Sequence, residues 1–309
     1  MTTDPDSSQP TSPSGVSVAI AQPVLLGESP MWHPVEQVLY DCDVPGKRLH
    51  RFDPATRQSQ SWVFDTELAC CAAAAGGGLV LALRSGFWRF DPSTGVSHCV
   101  AAATYDTATE RFNDGKCDAA GRFWVGTIPD SRKPVGGLYC LERGVASQRA
   151  GDVCNSNGLA FSPDNRTMYW ADTTRHTVFA LDFDLASGAI GNKREFARFA
   201  LRGEGESLAT YGGRPDGAAV DVDGNYWVSL FEGQRVVQLS PRGELLREIR
   251  LPVRCPTMPC FGGADLKTLY ITTSREKRPA DELAAQPDAG CVLQMRVDVA
   301  GLPSHLYID

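Results

Sequence analysis

The sequence predicts an all-β fold, a six-bladed β-propeller, on three observations. Short strand-like strings recur at 38–40 (VLY), 78–80 (GLV), 122–124 (RFW), 168–170 (MYW), 225–227 (NYW) and 268–270 (TLY). Measured at their last residues they step by 40, 44, 46, 57 and 43 residues, close to the length of a propeller blade. Turn residues flank them at similar offsets, and helical periodicity is weak outside one charged stretch, 278–286. A β-sandwich is the competing architecture, but it leaves such similar units unexplained.

The elements follow in chain order. Residues 1–15 (MTTDPDSSQPTSPSG) are polar and rich in Pro and Ser, and read as a disordered leader before a single domain over 16–309. Residues 16–22 (VSVAIAQ) are apolar enough to complete the last blade and close the ring, which removes free sheet edges. Residues 27–30 (GESP) read as a turn, and strands follow at 38–40 and 49–52, the latter ending in Asp53-Pro54. The second unit has a glycine turn at 76–78 and a strand and turn over 87–95 (FWRFDPSTG). The third and fourth place Ala120-Gly121 and Pro163-Asp164-Asn165 before their aromatic pairs, and the fifth uses Asp223-Gly224. Two long loops, 131–135 and 279–288, are candidate lids.

Composition excludes several function classes. The 309 residues hold 30 Lys plus Arg against 37 Asp plus Glu, a net charge of −7, which opposes nucleic-acid binding through phosphate neutralisation. No apolar run is long enough to span a bilayer, so no membrane role is expected. Ten cysteines form no CxxC pair, and they read as reduced, buried thiols in a cytoplasmic protein. No GxSxG elbow is present, and the glycines of 76–78 precede no Lys-Ser/Thr, so neither a serine-hydrolase nor a phosphate-loop site is expected. Oligomeric state is not legible.

Four polar residues share one phase of the repeat. Glu28 lies 12 positions before Tyr40, Asn113 11 before Trp124, Asn157 13 before Trp170 and Asp216 11 before Trp227. The strand preceding each aromatic pair is the innermost of its blade, so these side chains converge on the central channel. The second and sixth repeats carry Cys70, Cys71 and Cys260 near this phase. Acids and amides gathered on an axis repel unless neutralised. One divalent cation resolves that, because carboxylate and amide oxygens are the ligands of hard metals. The phase alone does not separate ligands from neighbours such as Asp114.

The motifs LGESPMW (26–32), RFNDGKCDAAGRFWVGT (111–127), SNGLAFSPD (156–164), RPDGAAVD (214–221) and PCFGGADLKTLYITT (259–273) resemble those of the regucalcin/gluconolactonase family, also called the senescence marker protein family. The resemblance runs from Gly27 to the C-terminus. It implies a six-bladed propeller with one divalent metal held by Glu28, Asn157 and Asp216. It also implies that Arg111 and Asn113 bind substrate oxygens and that Asp216 is the general acid/base. The reaction implied is hydrolysis of a small-molecule sugar lactone to its aldonic acid. The metal can be Ca2+, Zn2+, Mn2+, Mg2+ or Fe2+. Two departures stand out. Glu110 replaces an Asn that many relatives carry, and Ser131 occupies the position of an acidic substrate contact, with Asp130 one residue before it. A related esterase or organophosphate hydrolase, and a non-enzymatic metal-binding propeller, are the alternative functions.

Overall fold

A computed structural model describes residues 15–309; the leader expected over 1–15 lies, except for Gly15, outside the described residues. Among the described residues the strands form six antiparallel four-stranded sheets. The first comprises Gly27–His33, Val38–Asp43, Arg48–Asp53 and Gln58–Val63, and the second Leu68–Ala73, Leu79–Leu83, Gly86–Asp91 and Val96–Ala102. The third runs Glu110–Cys117, Phe123–Pro129, Gly136–Glu142 and Val145–Val153. The fourth runs Ser156–Phe161, Thr167–Asp172, Thr177–Asp184 and Ala189–Arg198. The fifth is Arg214–Val220, Tyr226–Phe231, Arg235–Leu239 and Leu245–Arg250. In the sixth, Pro256–Gly262, Thr268–Thr273 and Val292–Arg296 are completed by Ser17–Ile20.

The first strands of neighbouring sheets touch in sequence order, and Pro256–Gly262 returns to Gly27–His33. The sheets are therefore blades of a closed six-bladed propeller, with those strands around the axis. The strand Ser17–Ile20 is the outermost of the sixth blade, so the closure expected of 16–22 is realised over a shorter span. Each aromatic string falls on the second strand of its blade. The long step before Trp227 is accounted for by the connection 199–213. The charged stretch 278–286 contains a short helix, Ala280–Ala285, so the loop expected over 279–288 is partly helical.

In the third and fifth blades the phase of the aromatics has a physical cause. Asp118 Oδ2 accepts from Trp124 Nε1 at 2.8 Å, and its Oδ1 accepts from the backbone amides of Ala120 and Arg122. Asp221 repeats the device in the fifth blade, with Trp227 Nε1 at 2.8 Å and the amides of Asp223 and Asn225. One carboxylate thus closes the turn and anchors the indole, satisfying a donor that would otherwise be buried unpaired. Trp124, Trp170 and Trp227 are fully buried, each stabilising the core by at most about 6 kcal/mol. The core lies between blades: Trp227 and Val236 of the fifth pack with Phe261, Leu269 and Leu293 of the sixth.

Candidate active site

Every innermost strand carries one extra residue relative to its partner. Glu28 pairs Cys42 and Met31 pairs Tyr40; Asn157 pairs Ala171 and Ala160 pairs Tyr169. The same shift occurs at 112–115, 215–218, 256–259 and 68–70. A bulge re-aims side chains and interrupts pairing, and here it does so at the same level in all six blades. Residues 27–30, expected as a turn, are instead the bulged start of a strand. Ser29 has φ 47° and Gly158 φ 57° at corresponding places, and left-handed backbone in the middle of a strand looks like a turn in sequence.

Two further carboxylates fix how the chain enters these strands. Asp172 accepts from the amides of Cys154 at 3.0 Å and Asn155 at 3.3 Å, just before Asn157. Asp43, at the end of the strand beside Glu28, accepts from the amides of Leu26 and Gly46, each at 3.3 Å. Short polar side chains hold loop amides in this way. Neither aspartate was singled out from sequence.

Glu28, Asn157 and Asp216 are all buried. Burial raises Glu28 well above the usual carboxylate range, helped by the charges of Asp216 and Asp114. Burial likewise pushes Asp216 up to about 8, against the pull of Arg214 and with a push from Asp114. Asp114 is raised to about 6 by burial, with Lys116 acting in the opposite direction. The first, third and fifth blades therefore bring carboxyls close enough to resist one another's ionisation.

The amides are ordered around them. Asn157 Nδ2 donates to Thr173 Oγ1 at 2.8 Å, which turns its carbonyl oxygen toward Asn113 Nδ2 at 3.1 Å. Asn113 Nδ2 also donates to Ser156 O at 2.8 Å, and its Oδ1 accepts from Arg111 Nη1 at 2.9 Å. Arg111 Nη1 donates as well to Phe112 O at 2.8 Å, leaving the Nε and Nη2 edge without a hydrogen-bond partner among the described residues. Burial, with the charge of Arg132 nearby, lowers Arg111 to about 10.

The donor set suits a hard divalent cation. Glu28 and Asp216 offer carboxylate oxygens, and the Asn157 carbonyl oxygen keeps a lone pair beyond its bond to Asn113. Asp114 Oδ1 is buried without a partner beside them. Among the described residues no three His, Cys, Asp or Glu side chains gather as a metal-binding group; two acids completed by an amide oxygen lie outside that class. Beyond this level Lys116 Nζ crosses to Ala218 O at 2.9 Å. Past it the channel widens into a cavity of about 290 Å³ lined by Met31, Cys71, Phe161 and Met258.

A family model described as "SMP-30/Gluconolactonase/LRE-like region" matches residues 26–275, most of the propeller. The chain belongs to the SMP-30/gluconolactonase/LRE-like family. It is 45% identical over 292 residues to 6-deoxy-6-sulfogluconolactonase of Pseudomonas putida, covering 93% of this chain and 97% of that protein. It is 33% identical to regucalcin of Oryctolagus cuniculus, covering 91% and 94%. Its fold superposes on a calcium-binding protein, regucalcin, from Agrobacterium tumefaciens with TM-score 0.88 at 24% identity, covering 94% of this chain and 96% of that one.

Within this SMP-30/gluconolactonase-like chain, no acid from 130–131 turns toward the axial carboxyls. Asp130 lies 3.6 Å from Arg84 of the second blade and is largely exposed. Two cations that sequence reasoning left without a role face Asp216 instead, Arg214 and Arg132. The signal for Arg214 was the RPDG motif itself; Arg132 sits in a loop with no motif.

Proposed function

We propose that this protein hydrolyses a sugar lactone to its aldonic acid at the axial site, with a divalent cation held by Glu28, Asn157 and Asp216. The carrying observation is that Glu28 and Asp216 are buried on different blades, close enough that Asp216 opposes the ionisation of Glu28, beside an arginine with a free hydrogen-bonding edge. The family, and the lactonase at 45% identity, support the substrate class. Oxygen donors accept Ca2+, Mg2+, Mn2+, Zn2+ or Fe2+, and availability selects among them. All ten cysteines are free, and all but Cys99 are buried, which suits the cytoplasm as the proposed compartment. No helix among the described residues is long and apolar enough to cross a membrane.

When bound, the cation supplies a Lewis acid for the lactone carbonyl. The protein's own residues do the rest. Arg111 donates from its Nε and Nη2 edge to substrate oxygens, in a direction fixed by its Nη1 bonds to Phe112 and Asn113. Asn113 contributes less as a direct substrate contact than as the brace of Arg111 and Asn157, because its amide already serves both. Asp216 takes a proton from water as the oxygen adds to the carbonyl carbon. As the ring C–O bond breaks, Asp216 returns that proton to the ring oxygen, leaving an acid and an alcohol.

Acid release from glucono-1,5-lactone, followed by pH-stat, tests the reading. Asp216→Asn keeps the fold and lowers kcat by about 10²–10⁴, and chelation silences the wild type until a divalent ion is restored. Full activity in either case removes the mechanism.

A further inference from the structure

Glu110 pairs Pro129 and Arg111 pairs Ile128, so the chain leaves the second strand of the third blade directly beside Arg111. The loop 130–135 begins there, and it is stitched to itself. Arg132 N donates to Pro129 O at 2.9 Å, Lys133 N to Ser131 Oγ at 3.3 Å and Val135 N to Lys133 O at 2.8 Å. Arg132 itself adopts φ 55°, a conformation costly for a residue with a Cβ and kept only where its surroundings impose it.

The Arg132 guanidinium has neither an ion-pair nor a hydrogen-bond partner among the described residues, although it faces Arg214, Asp130, Asp216 and Glu276. Its neighbours are otherwise engaged. Arg214 lies 2.9 Å from Glu232, which is shared with Arg278 at the same distance, and Asp130 lies toward Arg84. Arg132 also faces Arg111. Three arginines, Arg111, Arg132 and Arg214, thus act on Asp216, and of their guanidinium groups that of Arg132 alone has neither an ion-pair nor a hydrogen-bond partner among the described residues. An arginine with no protein partner beside a site is free to take an anionic group of the ligand.

We propose that the substrate carries a permanent oxyanion on its exocyclic carbon, of the sulfonate or phosphate type, and that Arg132 binds it at the rim of the channel, with Arg214 beside it. The inference rests on the lactonase reading and names its substrate class. A position where the family resemblance implies an acid, suited to hydroxyls, here gives way to a loop presenting a cation. A planar guanidinium matches a trigonal face of three oxygens with paired N–H donors, which an ammonium does not.

The test compares kcat/KM for three lactones: glucono-1,5-lactone, its 6-phosphate, and the 6-deoxy-6-sulfonate. The wild type prefers an anionic lactone over the neutral one by at least tenfold, and that preference shrinks as salt is raised. Which anion is faster tells sulfonate from phosphate. In Arg132→Asn, a residue that tolerates the left-handed backbone, the anionic-to-neutral ratio falls about 10- to 100-fold through KM; Arg132→Lys recovers part of it. Lys133→Ala, one residue along and exposed, keeps the wild-type ratio. A wild type that prefers the neutral lactone, or an Arg132→Asn ratio equal to wild type, overturns the proposal while leaving the lactonase intact. A wild type that opens none of the three overturns the lactonase reading itself.

Discussion

Asn113 Nδ2 donates to Asn157 Oδ1 at 3.1 Å across the seam between the third and fourth blades. The two amides sit one position apart in the register of their blades, Asn157 as the last paired residue before its bulge and Asn113 as the first residue inside its own, and they do different work. Asn157 is oriented by its bond to Thr173, which leaves its oxygen as an acceptor. Asn113 spends its donors on Ser156 and Asn157 and its acceptor on Arg111. Asn113 links the proposed metal side of the site to the proposed substrate side.

That division predicts unequal effects of truncation. Asn157→Ala weakens divalent-ion binding at least tenfold, because an oxygen donor is lost. Asn113→Ala weakens it only a few-fold and raises KM for lactone, because Arg111 loses its brace. Calorimetric metal titration and steady-state kinetics on both variants check the order.

The buried carboxyls predict how the metal-free protein responds to pH. Asp216 stands at about 8 and Asp114 at about 6 when folded, both above the value near 4 of an unfolded aspartate. A carboxyl raised in the folded state favours folding while protonated, so this contribution is full below about pH 4 and is lost as pH rises through 6 to 8. In EDTA the melting temperature therefore falls between pH 5.5 and 8.5, by roughly 5 °C or more. Added divalent cation restores more stability at pH 8.5 than at 5.5. A flat profile contradicts the assigned burial of these charges.

Gly158 predicts the cost of filling the bulge. Its φ is +57°, and a Cβ there would run into Tyr226 Oη and lie 3.1 Å from both Ala171 Cβ and Asp216 O. Tyr226 Oη donates to Gly158 O at 2.8 Å, so the ring is held where the methyl must go. Gly158→Ala destabilises by about 2–4 kcal/mol, from backbone strain and overpacking together, and shifts Asp216 enough to lower kcat. Chemical denaturation and kinetics measure the two effects.

Asp172 predicts a loss transmitted through the backbone. Asp172→Ala leaves the amides of Cys154 and Asn155 without their acceptor, costing about 1–3 kcal/mol. The strand start then loosens, and divalent-ion affinity drops although no oxygen donor has been removed. Unchanged affinity would separate Asp172 from the site.

The blades were legible because the recurring strings mark one strand per repeat, and in the third and fifth blades the Asp118–Trp124 and Asp221–Trp227 bonds tie the string to its turn at the same spacing. The approach of Glu28 to Asp216 was legible from the same phase. The bulges were not. An extra residue in a strand leaves local composition unchanged, and Gly27 to Pro30 carries the residues of a turn. The roles of Asp43 and Asp172 depend on amides 17 and 18 positions away, a separation no local pattern encodes. Arg132 escaped for another reason: it is an exposed loop arginine between Ser131 and Lys133, and only the fold brings it within electrostatic reach of Asp216.

The strand Ser17–Ile20 hydrogen-bonds to Val292–Arg296, which the ribosome makes more than two hundred residues later. The earlier strand must therefore wait, unpaired, while five whole blades are translated. Until then the nascent protein is an open arc with two sticky ends, exposed to its neighbours on a polysome. Final docking closes a very long loop, so it is slow and late. A fusion or deletion that encumbers this strand would lower the yield of folded protein far more than it lowers the turnover of the molecules that succeed.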